Sequence, residues 1–319
     1  MAKEKQNFQE FNNIQNPNRK SNYQKQELND FSGGVNMTRL GKIERAVEII
    51  SEELQEQKNV NTVVVGANGV GKDFSFMIPN ILLEESKNIV VIDPLDELTN
   101  LYSFKEKQGY RILKYTLEKE DALQQLEKDL LISIKEKVLI HVSFPNTFFD
   151  SKERNSRLVL EFLRIVRGKQ DVEWGKKNSL HLFLMEYEGY ASSHFNNTFE
   201  VWRGYKISIT LSVQHVKSLE NGILDNCHYV LYKRLKDRDT AEWIAHKLKN
   251  YQVDFPSKLL GTDLLFLPLT ADTLMKLPLG MGILHKRYGD FTYENHPWVK
   301  IVETYNTEEI LGSPLYDKE

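Results

Sequence analysis

From Val60 onward, short uninterrupted apolar runs alternate with longer stretches whose apolar positions recur at helical spacing. The runs Val60–Val65, Asn88–Asp93 (NIVVID), Tyr110–Tyr115 (YRILKY), Lys137–Val142 (KVLIHV), Leu180–Glu186 (LHLFLME), Lys206–Val213 (KISITLSV), Tyr229–Tyr232 and Gly282–Arg287 read as strands. Continuous apolar runs of this length suit strands covered on both faces. Between them Lys72–Glu85, Glu97–Lys107, Glu118–Ile134, Ser151–Val166 and Asp237–Lys249 read as helices. The first must kink at Pro79, which has no N–H to donate. Strands alternating with helices predict parallel βαβ units in one doubly wound α/β sheet.

Upstream of the alternation the pattern changes. Residues 1–35 are rich in Asn, Gln and Lys and end in Ser32-Gly33-Gly34. Such a segment buries too little apolar surface to order itself, so it reads as a disordered arm, more simply an unstructured leader than a partner-binding tail. Over residues 36–57, Leu40, Ile43, Ala46, Val47, Ile50 and Leu54 mark one amphipathic helix. A nucleotide-binding domain is then expected over residues 58–305, with a short tail at 306–319.

Composition narrows this little further. With 40% hydrophobic and 27% charged residues among 319, a sizeable core is available. The net charge of -3 gives no global basic signature, so nucleic acid would have to be met by a local patch or an assembled pore. One cysteine, Cys227, excludes an internal disulfide and suits a reducing compartment; in its apolar stretch it reads as a buried small residue. No apolar run is long enough to span a bilayer, which points to a cytoplasmic chain, peripheral to a membrane only through a partner. The eight histidines show no metal-ligand spacing, so no metal beyond Mg²⁺ is assigned. The basic and aromatic residues of Lys286–Tyr293 suit an edge hairpin better than a strand-binding surface.

The chemistry concentrates at Gly66-Ala67-Asn68-Gly69-Val70-Gly71-Lys72-Asp73. Glycines at this spacing, after an apolar strand and before a helix, let backbone amides point at phosphates, and Lys72 can reach the outer ones. Asp73 stands where such loops carry a Ser or Thr hydroxyl for Mg²⁺. A carboxylate can also hold this hard cation, but it repels the phosphates, so weaker affinity or altered metal use is expected. Ser75, two positions on, is no assured substitute. Asp93 falls at the carboxyl edge of its strand, where ligands bind in such sheets, or equally serves as an N-cap. Leu180–Glu186 ends in Met185-Glu186 where a hydrolytic site has Asp-Glu, so Glu186 stands without its neighbour.

Together these pieces resemble the VirD4/TraG type IV secretion coupling proteins, the DNA-pumping ATPases of conjugation. VVGANGVGKDFSFMIPNIL looks like their nucleotide loop and "IP-x-L" helix, NIVVIDPLDEL like their "DPKGE" strand, and LHLFLMEYEGY like their "LLDEF" strand. EVWRGYKISITLSVQH is similar to their "RGYGI…Q" segment, and ILDNCHYVLYKRLKDRDTAEWIAHKL to their "I-x-N-C…D-x-x-T-A" tail, all in the family's order.

The resemblance implies a RecA-like P-loop NTPase fold, bound ATP and Mg²⁺, and a homo-oligomeric ring such as a hexamer. It further implies that Asp93 frames the nucleotide site, Glu186 is the catalytic acid, Arg203 is an arginine finger offered in trans, and Gln214 is a γ-phosphate sensor. Single-stranded DNA presented by a relaxase complex, and a secretion channel or membrane-anchored partner, are the implied associates. The transmembrane helices with which family members usually begin are not visible here, and the interval Tyr115–Leu180 is too short for their inserted all-helical domain, so a compact form is expected. Two further readings stay open: a non-hydrolysing scaffold that docks relaxosome or channel partners, and another RecA-like DNA translocase.

Overall fold

The structure is a computed structural model that describes residues 45, 46, 50, 60–98, 101–119, 121–132, 136–170, 179–192, 195, 202, 207–216, 219, 221–251, 253–254, 266–267, 269–287, 298–304 and 307–311. The chain divides into two units, 1–42 and 43–319, and all the described residues lie in the second. The arm over residues 1–35 lies outside the described residues, as does most of the helix expected over 36–57; of the tail expected over 306–319, residues 307–311 are described and form a helix. Of that helix, Ala46 and Ile50, four residues apart, are both buried.

The expected strands form as β1 (Asn61–Val65), β2 (Asn88–Ile92), β3 (Arg111–Thr116), β4 (Val138–Ser143), β5 (Leu180–Leu184), β6 (Ile207–Val213) and β7 (Tyr229–Tyr232). These run parallel to their neighbours in one sheet. In chain order, β8 (Val253–Asp254) and β9 (Phe266–Leu267) make a separate antiparallel pair. Two more strands, β10 (Met281–Lys286) and β11 (Trp298–Glu303), extend the main sheet antiparallel beside β7. The nine strands lie in the order β11-β10-β7-β1-β6-β5-β2-β4-β3. Two consequences matter for the site: β6 separates β1 from β5, and β2 lies beyond β5.

Both faces of the sheet are covered, which is why its inner strands are buried along their length and largely apolar, whereas the edge strand β3 exposes Arg111 and Lys114. Val63 and Val65 point into one core with Ile92, Leu182 and Ile209. That core is closed by α3 (Ala122–Ile132), α4 (Lys152–Gln170), α6 (Arg238–Leu248) and α7 (Ala271–Lys276), through Leu126, Phe162, Ile244 and Leu274. Val64 points to the other core with Ile89, Val91, Phe183 and Leu231. There Phe76, Ile78, Ile81 and Leu82 of the segment after the glycine loop and Tyr102 of α2 (Tyr102–Lys107) form the cover.

Several helices differ from expectation for identifiable reasons. Lys72–Glu85 is not one kinked α-helix. Asp73–Met77 winds as a π turn and α1 (Ile78–Leu83) follows with Pro79 in its first turn. Ile78 N–H bonds back to Asp73 O, five residues earlier, and a proline at the start of a helix has no bond to lose. α2 begins at Tyr102 rather than Glu97, because Asp93 Oδ2 accepts Leu98 N–H at 2.9 Å and holds the intervening chain as a turn. α3 starts after Glu118, whose carboxylate is engaged by Asn146 Nδ2 and Thr147 N–H. α6 begins where expected, capped by Asp237 accepting Thr240 N–H at 2.9 Å. The short α5 (Asn221–Asp225) precedes β7, and α8 (Thr307–Leu311) lies against α1.

At the amino edge of the sheet, beneath α1, the core holds a polar cluster. Glu84 accepts from His181 Nδ1 at 3.0 Å, Thr210 Oγ1 lies 2.9 Å from His181 Nε2, and Lys87 Nζ donates to Ser208 Oγ at 3.0 Å. Burial raises the Glu84 pKa, but the His181, Ser86 and Lys87 contacts outweigh it and hold the carboxyl at about 2. Burial lowers the pKa of His181, so a neutral ring donates from Nδ1 and accepts Thr210's hydroxyl at Nε2. A carboxyl depressed on folding stabilises the protein above its unfolded pKa and loses that contribution as pH falls through the folded value. Acid unfolding should therefore steepen between about pH 4.5 and pH 2. Glu84→Gln should lower stability at neutral pH by about 2–4 kcal/mol and flatten that slope, as followed by urea unfolding against pH.

Candidate functional site

The glycine loop leaves the carboxyl end of β1 between β6 and β7. Gly66 N–H bonds to Val213 O and Ala67 N–H to Arg234 O, each at 3.1 Å, so both neighbours anchor the turn. Gly69 and Gly71 each have φ of +76°, a left-handed backbone that glycine adopts at no steric cost. Gly66 answers to close approach instead: a Cβ there would lie 2.9 Å from Val70 Cγ2 and 3.0 Å from Lys233 Cβ.

The next contacts reach across the sheet edge. Lys72 is buried. Ser212 Oγ, at the end of β6, donates to Asp73 Oδ1 at 3.3 Å and accepts Glu186 N–H at 3.3 Å. Gln214 Nε2 donates to Glu186 Oε2, also at 3.3 Å. The strand order thus brings Asp73, Glu186 and Gln214 together through Ser212, a residue that sequence reasoning missed. Glu186 follows β5 with φ 46° and ψ 42°, a left-handed conformation that turns its carboxylate back towards β6. Burial, reinforced by the negative charges of Glu186 and Glu97, raises Asp73 to about 6, with Lys72 and the Ser212 hydroxyl opposing. Glu97 is itself raised, by burial and then by Asp93 and Glu186.

Lys233 is the second missed residue. It follows β7, is 1% exposed, and donates from Nζ to Ser75 Oγ and to Thr304 Oγ1 at 3.1 Å, with Gly71 O at 3.5 Å. Burial and the nearby Lys72 lower its ammonium to about 8, with Asp73 opposing. Ser75 also donates to Gly71 O at 2.5 Å, so its hydroxyl is tied to the underside of the loop.

The remaining expected positions fall elsewhere. Met185 is buried in the core on the α1 side of the sheet and presents no oxygen to the site. Asp93 stands at the end of β2, separated from β1 by β6 and β5, and is engaged by Leu98 N–H and His141. Arg203 and most of the Lys286–Tyr293 segment lie outside the described residues. Cys227 is buried as expected, donates to Ile223 O, and has its thiol pushed up to about 12 by burial. A cavity of about 200 Å³ opens beside the loop, lined by Ala67, Asn68, Gln214, His215, Lys236 and Asp237 among others.

A glycine loop on an interior parallel strand, with one strand between it and the acid-bearing strand, defines a P-loop NTPase fold. Residues 11–125 match the family described as type IV secretory system conjugative DNA transfer. No curated protein matches the sequence. Among solved structures, the plasmid coupling protein TrwB in complex with ADP and Mg²⁺ aligns over 85% of this chain and 90% of its own, at 9% identity and a TM-score of 0.54. The genome packaging NTPase B204 of Sulfolobus turreted icosahedral virus 2, in complex with AMPPCP, aligns over 78% of this chain and 99% of its own, at 11% identity and a TM-score of 0.48. The resemblance to type IV coupling proteins thus holds in the family match, and the TrwB likeness extends it to the fold. Among the described residues no helix is long and apolar enough to cross a membrane.

The raised Asp73 gives a signed prediction. A carboxyl whose pKa rises on folding takes up a proton in the native state, so its ionised form destabilises the protein above that pKa. In the absence of nucleotide and metal, Asp73→Asn should stabilise the chain by roughly 1–3 kcal/mol at about pH 7.5. The gain should shrink towards zero as pH falls through about 6 to about 4, as measured by urea unfolding at several pH values.

Proposed function

We propose that this chain is a coupling-protein-type ATPase that binds ATP with Mg²⁺ and takes part in conjugative DNA transfer or type IV secretion. The observation that carries the proposal is the hydrogen-bonded line Asp73–Ser212–Glu186–Gln214 beside the glycine loop. In this proposal Gly66 to Lys72 cradle the phosphates, with Lys72 on the outer ones. Asp73 is the protein oxygen available for Mg²⁺, whose chemistry is to neutralise charge on the phosphates. Its carboxylate is already oriented by Ser212 and sits beside the loop, which suits a hard cation. Glu186 polarises the attacking water, and Gln214, already bonded to it, registers the outermost phosphate. Arg203 acts in trans in a homo-oligomeric ring such as a hexamer, and Asp93 shapes the site from a distance.

DNA presented as a single strand by a relaxase complex is the proposed substrate, and a secretion channel or membrane-anchored protein the proposed docking partner. The organisation proposed with it is an arm over residues 1–35, a helix over 36–57, the nucleotide domain over 58–305 and a tail over 306–319. A second reading, the non-hydrolysing scaffold, is favoured by one observation: Met185 is buried and leaves Glu186 without a neighbouring metal oxygen.

ATP turnover by the purified chain with Mg²⁺ and single-stranded DNA separates the two. Glu186→Gln and Lys72→Ala should each lower DNA-stimulated hydrolysis about 100-fold or more. Hydrolysis that is indifferent to both substitutions would sink the motor reading. ATP binding that depends on Lys72, without turnover by the parent chain, would establish the scaffold instead.

A further inference from the structure

Away from the glycine loop, the turn after β2 meets the middle of β4. Asp93, Asp96 and His141 each place one donor atom within 4.8 Å of the others there. His141 and Asp93 are buried, whereas the Asp96 side chain is 47% exposed and faces the solvent side of the cluster. His141 Nε2 lies 3.1 Å from Asp93 Oδ2, and because a carboxylate can only accept, a neutral imidazole carries its proton on Nε2. The lone pair of Nδ1 is then turned towards Asp96 Oδ1, 3.6 Å away.

That separation is too long for an N–H···O bond. Two ligand bonds of about 2.1 Å meeting at a tetrahedral ion put their donor atoms about 3.4 Å apart, close to the gap between Nδ1 and Asp96. A carboxylate on the far ring nitrogen is also what orients a metal-binding histidine, and Asp93 occupies that place. Leu98 N–H, donating to the same Asp93 oxygen at 2.9 Å, fixes the carboxylate in turn.

A second, independent observation concerns Tyr102. It is 7% exposed, and its hydroxyl has no hydrogen-bond partner among the described residues. The charges of Asp96 and Asp93 both act on its phenolic oxygen, which places that oxygen near the two carboxylates. The ring meets that of His141 edge-on at a centroid distance of 5.5 Å. The ammonium of Lys114 lies 3.8 Å from the ring centroid, over the face of the same ring. Buried hydroxyls are as a rule hydrogen-bonded, so this one is suited to a further group at the cluster.

We propose that His141 and Asp96 hold one divalent transition-metal ion of the zinc class, with Asp93 orienting the imidazole and the Tyr102 hydroxyl closing the site. One imidazole and carboxylate oxygens form a donor set that suits Zn²⁺ or Co²⁺ better than Mg²⁺. Asp96 gives the ion a route in from solvent. The ion would pin the turn 93–98, which carries Glu97 within the field of Glu186 and Asp73. This site is separate from the Mg²⁺ assigned to Asp73, and it stands or falls independently of ATP hydrolysis.

The test uses the full chain, stripped with a chelator and desalted, then titrated with Zn²⁺ by calorimetry and with Co²⁺ by visible absorption. One ion per chain is expected. Asp96→Asn, on an exposed turn, should weaken binding about tenfold or more, and His141→Gln should abolish it. Asp73→Asn should leave the stoichiometry at one, which distinguishes this ion from one at the glycine loop. Circular dichroism on each variant separates lost binding from lost folding. No uptake by the parent chain, or uptake that survives both Asp96→Asn and His141→Gln, would overturn the proposal and leave His141 as a proton-sharing link between two carboxylates.

Discussion

The carboxylate of Asp73 and the backbone N–H of Glu186 are held by one hydroxyl, that of Ser212. Nothing local in the chain produces this arrangement, since the three residues lie on separate elements more than twenty residues apart in sequence. It depends on β6 lying between β1 and β5 in parallel register, so that three carboxyl-terminal strand ends open at one edge. The apolar strands, the helices on both faces and the antiparallel extension by β10 and β11 all serve to hold that edge in place. A hydroxyl suits this position because it can donate to one group and accept from another at once.

Close to this line the charges are balanced in an unusual way. The loop carries an acid where a neutral hydroxyl is expected, and β7 ends in a buried lysine, Lys233, beneath the same loop. Asp73 moves the titration of Lys233 towards the charged form against burial, while the cation that opposes burial at Asp73 itself is Lys72. The ammonium is bonded to the hydroxyl of Ser75 and lies under the loop rather than above it. The acid at position 73 thus helps keep a buried cation from a different segment charged beneath the loop.

Much of the fold was legible because its signals are local. Apolar runs such as NIVVID and KISITLSV can only be strands buried on both faces, and glycines before Lys72 name the loop. What escaped has physical reasons. Trp298–Glu303 (WVKIVE) is an edge strand interrupted by Lys300, so it lacks the uninterrupted apolar run of a strand buried on both faces. Ser212 is one small polar residue within an apolar run, unremarkable until strand order places it between two acids. Lys233 looks like an ordinary cation after a strand, although its environment makes it part of the loop. His141 and Asp93 are 48 positions apart, and no ligand spacing along the chain could announce a cluster made by neighbouring strands.

The π turn over Asp73–Met77 has a bearing on how relatives are compared. A wider turn takes in one more residue than an α turn before the chain returns to the same side of the axis. Counting forward from Lys72 will therefore assign the residues beyond Met77 to the wrong side of the helix if an unbroken α geometry is assumed. An alignment that is correct in the glycine loop can be out of phase by the time it reaches Asn80, whose side chain bonds back to Phe76 O. Superposition of the flanking strands, rather than residue counting, is what identifies equivalent positions along this segment.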